Sequence, residues 1–92
     1  MSGKRIEYSR RFKKSYQARV QYNEKIRGQF MKRVDVFLTG YRAQPLNDHA
    51  LAGGMKGLRA FSITGDVRVI YRETDDCYEF LDIGTHAQVY GL

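Results

Sequence analysis

The sequence predicts an α+β domain in which an N-terminal helical hairpin packs on a small, mostly antiparallel sheet. Through roughly the first forty residues, apolar side chains recur at helical spacing. From Gly57 onward, apolar and polar residues alternate, which is typical of strands. The chain has 92 residues, which suits a single domain, residues 1–92, built from two layers around one core.

Two helix N-caps delimit the hairpin. A short edge strand at Lys4–Tyr8 comes first, and Ser9 and Asn23 then stand immediately before two amphipathic segments. The second segment ends at Gly40, a residue typical of helix C-termini. Because the link between the segments is short, the helices are expected to run antiparallel. The stripes at helical spacing, expected to face the core, are Phe12, Tyr16, Arg19 and Val20, followed by Ile26, Phe30, Val34, Phe37 and Leu38.

A long loop is predicted from Gln44 through Gly54. The segment is rich in Pro, Asn, Asp and Gly, so little regular structure is expected there. Loops of this length in compact domains are usually functional or disordered. Leu46 and Leu51 are expected to pin the loop to the core.

The hydrophobic pattern also fixes the register of the hairpin that follows. A three-residue loop, Thr64–Asp66, places Ile63 opposite Val67 and Phe61 opposite Val69, so the large apolar side chains share one face. A two-residue loop would mix large and small residues, so the three-residue loop is preferred. The opposite face then carries Ala60, Ser62, Arg68 and Ile70.

The last strand is predicted at Cys77–Ile83, and Gly84–His86 is expected to leave the sheet. Cys77 is the single cysteine, so no internal disulfide forms, which fits a reducing compartment. The sequence has no run of 18 apolar residues and no apolar signal core after its basic start. We therefore expect a cytoplasmic protein that does not enter a membrane.

The formal net charge is +6 and the sequence pI is about 9.7. Such a balance favours a polyanionic partner, either a nucleic acid or an acidic protein. Part of the charge forms a basic face on the first helix, which includes Lys13 and Lys14. This face is either an ordinary solvated surface or a contact for RNA phosphates, the ribosome or an acidic partner.

The residues from Asp48 to His86 contain the groups that metal-free RNA cleavage requires. The reaction needs a base for the 2′-hydroxyl, an acid for the 5′-oxygen and cations for the charged phosphorane. His49 and His86 could transfer the protons, Asp66 could orient a histidine or act as the base, and Arg68 could hold the phosphate. Further candidates for RNA contact are Lys56, Arg59 and Tyr90.

Each of these residues also has an ordinary explanation. Histidines in loops are often caps or surface groups, and turn chemistry accounts for Asp66. Two histidines and an aspartate can bind a transition metal, but their spacing matches no zinc pattern. We therefore expect neither a metal nor another cofactor.

At these residues the chain resembles the RelE/ParE superfamily of bacterial toxins from type II toxin–antitoxin systems, and most closely its YafQ-like branch. The resemblance begins at residues 8–14 and covers nearly the whole chain. Its specific segments are Asp48-His49-Ala50-Leu51-Ala52-Gly53, Lys56-Gly57-Leu58-Arg59, Gly65-Asp66-Val67-Arg68-Val69-Ile70-Tyr71 and Gly84-Thr85-His86.

This resemblance implies the RelE-like fold and an endoribonuclease (an mRNA interferase) that cuts mRNA in the ribosomal A site. It also implies a cognate antitoxin, expected to be acidic, that wraps and inhibits the toxin and makes any DNA contact itself. His49, Asp66 and His86 match catalytic positions of the YafQ-like branch, Arg68 matches the catalytic arginine of the RelE-like branch, and Tyr90 resembles that branch's C-terminal aromatic residue. Ser62 departs from the pattern, because YafQ-like members often have a histidine there.

Two other functions stay open. A ParE-like poison of gyrase shares the fold, but such members lack the histidine-bearing site. An inactive toxin-like binding module is the second alternative, and Ser62 is the residue that favours it.

Overall fold

The computed structural model describes residues 3–91, which form three helices and a five-stranded sheet. Along the chain, the elements are β1 (Arg5–Tyr8), α1 (Arg10–Arg19), α2 (Glu24–Leu38), β2 (His49–Ala50), a 3₁₀ turn (Gly53–Met55), β3 (Arg59–Ser62), β4 (Val67–Glu73), β5 (Cys77–Thr85) and α3 (His86–Tyr90). None of the helices in the described part of the chain is long and apolar enough to cross a bilayer.

Both long helices begin at their predicted caps. The Ser9 hydroxyl accepts a hydrogen bond from the Phe12 amide, and the Asn23 side-chain oxygen accepts one from the Ile26 amide, each at 3.0 Å. The helices contact each other through the ring of Phe30, whose centroid lies 5.3 Å from that of Tyr16. The predicted helical pair is thus present.

The strand order is β1-β5-β4-β3-β2, with β1 parallel to β5 and the other neighbours antiparallel. The register predicted for the β3–β4 hairpin is confirmed: Phe61 lies opposite Val69, and the Ile63 amide donates to the Val67 carbonyl at 2.8 Å. The large apolar side chains therefore share one side of the sheet. We call this side the helix face, because α1 and α2 pack on it.

Phe37 of α2 lies at the centre of the core on the helix face. Its side chain is fully buried, and its ring stacks on Phe61 with centroids 4.6 Å apart. The rings of Tyr71 and Tyr78 meet it edge-on at 5.0 and 4.8 Å. Leu46 is also fully buried, so this loop residue is pinned to the core as predicted.

The opposite side of the sheet, which we call the second face, is covered to an extent the sequence did not indicate. Ala60 and Ile70 are 0% and 1% exposed, and Val89 of α3 packs on them. The expectation of little regular structure in the long loop was wrong at β2 and at the 3₁₀ turn. The last strand also continues to Thr85, the N-cap of α3, rather than ending at Ile83. Elements of two to five residues are too short to produce a periodic pattern.

Helix α1 covers an edge of the sheet that no strand pairs. β1 pairs only with Cys77–Phe80, which leaves the second half of β5 open on that side. Ser9 bonds the Phe80 and Leu81 carbonyls at 3.0 and 3.2 Å, and Arg19 donates to the Ile83 carbonyl at 2.9 Å. These bonds satisfy carbonyl groups that would otherwise form a free edge.

Replacing Phe37 with alanine should lower the free energy of unfolding by about 3–5 kcal/mol, because it removes the ring around which the core packs. Urea unfolding measures this change as a shift of the transition midpoint, provided that the slope of the free energy of unfolding against urea concentration is unchanged. Met31 of the same helix is 63% exposed, so Met31→Ala should change stability by less than about 0.5 kcal/mol. Equal effects of the two changes would contradict this account of the core.

Candidate active site

Strand register brings three of the predicted residue positions onto the second face. His49 pairs with Ala60, and Ala60 pairs with Ile70. In the neighbouring row, Ser62 pairs with Arg68. Directly opposed residues in antiparallel strands, and residues two apart in one strand, project on the same side. His49, Ser62 and Arg68 therefore lie on one surface, although they belong to three strands.

Helix α3 adds the second histidine to this surface. Thr85 caps the helix: its hydroxyl accepts from the Gln88 amide at 3.3 Å, and its own amide donates to the Gln88 side chain at 2.8 Å. The rings of His86 and Tyr90 are in edge contact with centroids 4.5 Å apart, the spacing expected for positions i and i+4. Because Val89 and Tyr90 pack on Ala60 and Ile70, α3 lies across the second face.

The hydrogen bond made by His49 defines its tautomer. Its Nδ1 lies 2.9 Å from the Asn47 carbonyl oxygen. A carbonyl can only accept, so Nδ1 carries the proton and donates. In the neutral ring, Nε2 is then the nitrogen with a free lone pair. His49 is exposed, so this nitrogen is available to accept a proton.

Arg68 and Asp66 lie together at the end of the hairpin. Arg68 is half-buried, and its Nη1 donates to the Asp66 carbonyl oxygen at 3.1 Å. The Asp66 carboxylate is exposed and makes no hydrogen bond or ion pair within residues 3–91. The structure thus shows no contact between Asp66 and either histidine, and the role assigned to Asp66 stays a prediction.

A buried carboxylate that the sequence reasoning did not single out anchors the segment before His49. The Asp48 side chain is 0% exposed. Nε of Arg59 donates to its Oδ1 at 2.7 Å, and Nη2 of Arg59 lies 2.7 Å from the same oxygen. The Tyr71 hydroxyl donates to Oδ2, and Arg42 lies 3.7 Å from Oδ2. We call these four residues the Asp48 anchor. It ties the long loop to β3 and β4 immediately before β2.

The anchor alters the titration of two of its members. Burial, and then the hydrogen bond to Asp48, raises the pKa of the Tyr71 hydroxyl above its ordinary value. The hydrogen bond to Asp48 raises the pKa of the Arg59 guanidinium. Arg59 was predicted to contact RNA phosphate, whereas in the structure it pairs with Asp48 and lies opposite Tyr71 on the helix face. Its contact with RNA stays an untested prediction.

The other predicted RNA contacts lie in different places. Lys56 is exposed just after the 3₁₀ turn, and Tyr90 packs at the edge of the small core on the second face. Lys13 instead borders an open groove of about 320 Å³ on the helix side, which is also lined by Tyr8, Phe12, Tyr16 and Phe30. Lys14 is exposed on α1. The structure therefore places His49, Ser62, Arg68 and α3, with His86 and Tyr90, on the second face, whereas Lys13 borders a groove on the helix side.

A second carboxylate missed by the sequence reasoning is Asp82 of β5. Its side chain is 7% exposed and lies 3.4 Å from both Arg11 and Arg19 of α1. The sequence contains one signal for this contact, because the two arginines lie two helical turns apart beside the apolar stripe of α1. No cluster of three or more His, Cys, Asp or Glu side chains that could hold a metal occurs within residues 3–91.

Comparison with known families identifies the family of the chain. A family model described as the bacterial toxin of type II toxin–antitoxin systems, YafQ, matches residues 4–91. The chain belongs to the YafQ family. It is therefore a toxin of a type II toxin–antitoxin system. No curated protein sequence matches the chain at a significant level.

Solved structures of YafQ, and of a further toxin, have the same fold. YafQ from E. coli strain BL21(DE3) superposes with a TM-score of 0.80 at 28% identity, over 96% of this chain and 99% of that one. YafQ in the E. coli DinJ–YafQ complex gives 0.78 at 29% identity, over the same 96% and 99%. A metal-bound toxin from Helicobacter pylori, at 24% identity, gives 0.76 over 92% of this chain and 97% of that one, and shares the fold. The predicted RelE-like fold is confirmed.

Replacing Asp48 with alanine should lower the free energy of unfolding by about 3 kcal/mol, because it leaves Arg59 and Tyr71 without their buried partner. Denaturant unfolding measures this effect. Glu79 and Arg72 form a comparable pair that is open to solvent, so Glu79→Ala should change stability far less. A loss at Glu79 as large as that at Asp48 would contradict the assigned importance of the anchor.

The raised pKa of Tyr71 predicts a pH effect with a definite sign. Above about pH 10 a tyrosine in the unfolded chain loses its proton, whereas folded Tyr71 keeps it. Unfolding is therefore favoured as pH rises, and the stability that Tyr71 contributes below pH 10 is lost. The free energy of unfolding of Tyr71→Phe should fall less steeply with pH in this range. Identical slopes in the two proteins would rule out the assigned role of Tyr71.

Proposed function

We propose that this YafQ-family toxin is an endoribonuclease that cuts mRNA on the ribosome through attack by the 2′-hydroxyl on the neighbouring phosphate. The observation that carries the proposal is the shared surface of the second face. Two imidazoles and a guanidinium from β2, β4 and α3 project from it, next to an aromatic ring that could stack on a base. These groups suffice for the reaction without a metal ion.

The tautomer of His49 suggests how the roles are divided. Nε2 of His49 removes the proton from the 2′-hydroxyl, and the 2′-oxygen forms a bond to phosphorus. Arg68 donates to the non-bridging oxygens as charge develops there. His86, in its protonated form, gives a proton to the 5′-oxygen as the P–O5′ bond breaks. The products are a 2′,3′-cyclic phosphate and a 5′-hydroxyl end.

Asp66 and Ser62 complete the proposed site in lesser roles. The Asp66 carboxylate is unengaged at the end of the hairpin, where it can orient an imidazole once RNA is bound. Ser62 stands where YafQ-like members often have a histidine, and it lies directly opposite Arg68. In this chain we assign the stabilisation of charge to Arg68. The alternative that Ser62 favours is an inactive toxin-like binding module.

The proposed partners follow from charge and from the relatives. A net charge of +6 suits the ribosome and mRNA, which are polyanions, and Lys56 and Tyr90 are proposed RNA contacts. E. coli YafQ forms a complex with DinJ. We propose a cognate antitoxin for this chain too, acidic and wrapping the toxin, with any contact to DNA made by the antitoxin. The compartment proposed for all these encounters is the cytoplasm.

Expression of the wild-type chain should arrest growth and cut translated mRNA to leave 5′-hydroxyl ends. His49→Ala and His86→Ala should each slow cleavage by about 100-fold or more, because each removes a proton-transfer group. Cut sites and end groups are mapped on mRNA from cells and from a reconstituted translation reaction. Tyr22 is 83% exposed and lies outside the site, so Tyr22→Ala should cleave normally.

Three outcomes would contradict this proposal. Undiminished toxicity of the double variant His49→Ala, His86→Ala would mean that the site is elsewhere. Inhibition of gyrase supercoiling by the purified protein, with mRNA left intact, would indicate a ParE-like poison. Normal growth and translation during expression of the folded wild-type chain would favour the inactive binding module.

A further inference from the structure

Gly84 leaves a space on the second face that side chains from α1 and α3 fill. Gly84 lies opposite Arg68, so a side chain at residue 84 would project beside that of Arg68. A Cβ atom built on Gly84 would lie 2.7 Å from Nη1 of Arg19 and 2.7 Å from Oε1 of Gln88. The guanidinium of Arg19 thus reaches over Gly84 from α1, next to the strand position of Arg68.

The structure holds this guanidinium firmly. Nη1 of Arg19 donates to the Ile83 carbonyl oxygen at 2.9 Å and lies 3.4 Å from Oδ1 of Asp82. Arg11 approaches the other oxygen of the same carboxylate at 3.4 Å. Two guanidinium groups therefore share one carboxylate, so the cluster keeps a net positive charge.

Arg19 retains donors that it does not use. Its hydrogen bonds and its ion pair within residues 3–91 all involve Nη1, whereas a guanidinium has five N–H donors on three nitrogens. Nε and Nη2 make no hydrogen bond in the described part of the chain, and the side chain is 28% exposed. The Arg19 guanidinium is thus fixed through one nitrogen while its other donors are open. Such a group can donate two hydrogen bonds to an oxyanion.

We propose that Arg19 binds a backbone phosphate of the RNA strand beside the phosphate held by Arg68. Paired strand residues have their Cα atoms about 4.5–5.5 Å apart, so the Arg68 side chain starts close to the guanidinium over Gly84. This inference rests on the proposed ribonuclease function, because it extends the same site.

The competing explanation is that Arg19 serves only to fasten α1 to β5. Two substitutions separate the explanations, because they break the same ion pair from opposite sides. Arg19→Gln removes the cation, whereas Asp82→Asn removes the carboxylate and leaves the guanidinium in place. If Arg19 only fastens α1, both changes should have similar effects. If Arg19 binds phosphate, they should differ.

The probe is a short single-stranded RNA with 2′-O-methyl groups, which cannot be cut because its nucleophile is blocked. Its dissociation constant for the full chain is measured by fluorescence anisotropy over a series of salt concentrations. Arg19→Gln should weaken binding about tenfold or more and reduce the slope of log affinity against log salt by about 0.7. Asp82→Asn should bind as tightly as the wild type or more tightly.

Arg72→Gln is the matched control, since Arg72 also pairs with a carboxylate, that of Glu79, and lies four residues along β4 from Arg68. The affinity of Arg72→Gln for the RNA should lie within twofold of the value expected from the loss of one positive surface charge alone. Arg19→Lys, which keeps the charge, should recover part of the binding. The double variant Arg19→Gln, Asp82→Asn avoids an underpaired buried carboxylate, and it should bind as weakly as Arg19→Gln.

Equal weakening by Arg19→Gln and Asp82→Asn would overturn the inference, as would wild-type affinity in Arg19→Gln. Arg68→Gln shows which proposal has failed. If Arg68→Gln weakens binding and Arg19→Gln does not, the role of Arg19 is wrong and the proposed site stands. If neither change weakens binding, the second face does not hold RNA and both proposals fail.

Discussion

The second face depends on a carboxylate that is shielded from water. Asp48 lies immediately before β2, a strand of two residues that could not hold a position by its own ladder bonds. Burying an ionised carboxylate is costly unless it is paired and hydrogen-bonded, and Arg59, Arg42 and Tyr71 supply the partners. Because these partners belong to β3, β4 and the loop after α2, one carboxylate fixes a long loop against the sheet. The imidazole of His49 follows it directly.

The two faces of the sheet differ in how much apolar core they carry. The helix face supplies most of the apolar core, with the ring of Phe37 among four other aromatic rings. The second face needs only a small apolar patch, Ala60 and Ile70, which α3 covers. Positions at the ends of that patch are therefore free to carry polar groups, and Arg68 and His49 occupy two of them. Because the helix face supplies most of the apolar core, the second face can carry polar and ionisable side chains.

The features that could be predicted from the sequence are those set by residues close together in the chain. The caps at Ser9 and Asn23 and the β3–β4 register were predictable, because cap residues and alternating apolar residues act over a few positions. β2 and α3 are too short to produce a pattern, and Asp48 resembles any polar loop residue. The contact of Arg19 with Asp82 depends on an irregularity that shifts the β4–β5 register between Ile70 and Tyr71. Nothing in the sequence marks such a bulge.

The two buried carboxylates show how a basic protein can hold cations in place without neutralising them. Asp48 lies among two arginines and a tyrosine, and Asp82 lies between two arginines. Each cluster has two guanidinium groups for one carboxylate, so each keeps a positive charge after the carboxylate is paired. A flexible arginine would lose side-chain entropy on binding a phosphate, whereas one already fixed by a carboxylate loses less. Under the proposed function, the same ion pairs that join the elements of the fold would therefore also prepare its surface for a polyanion.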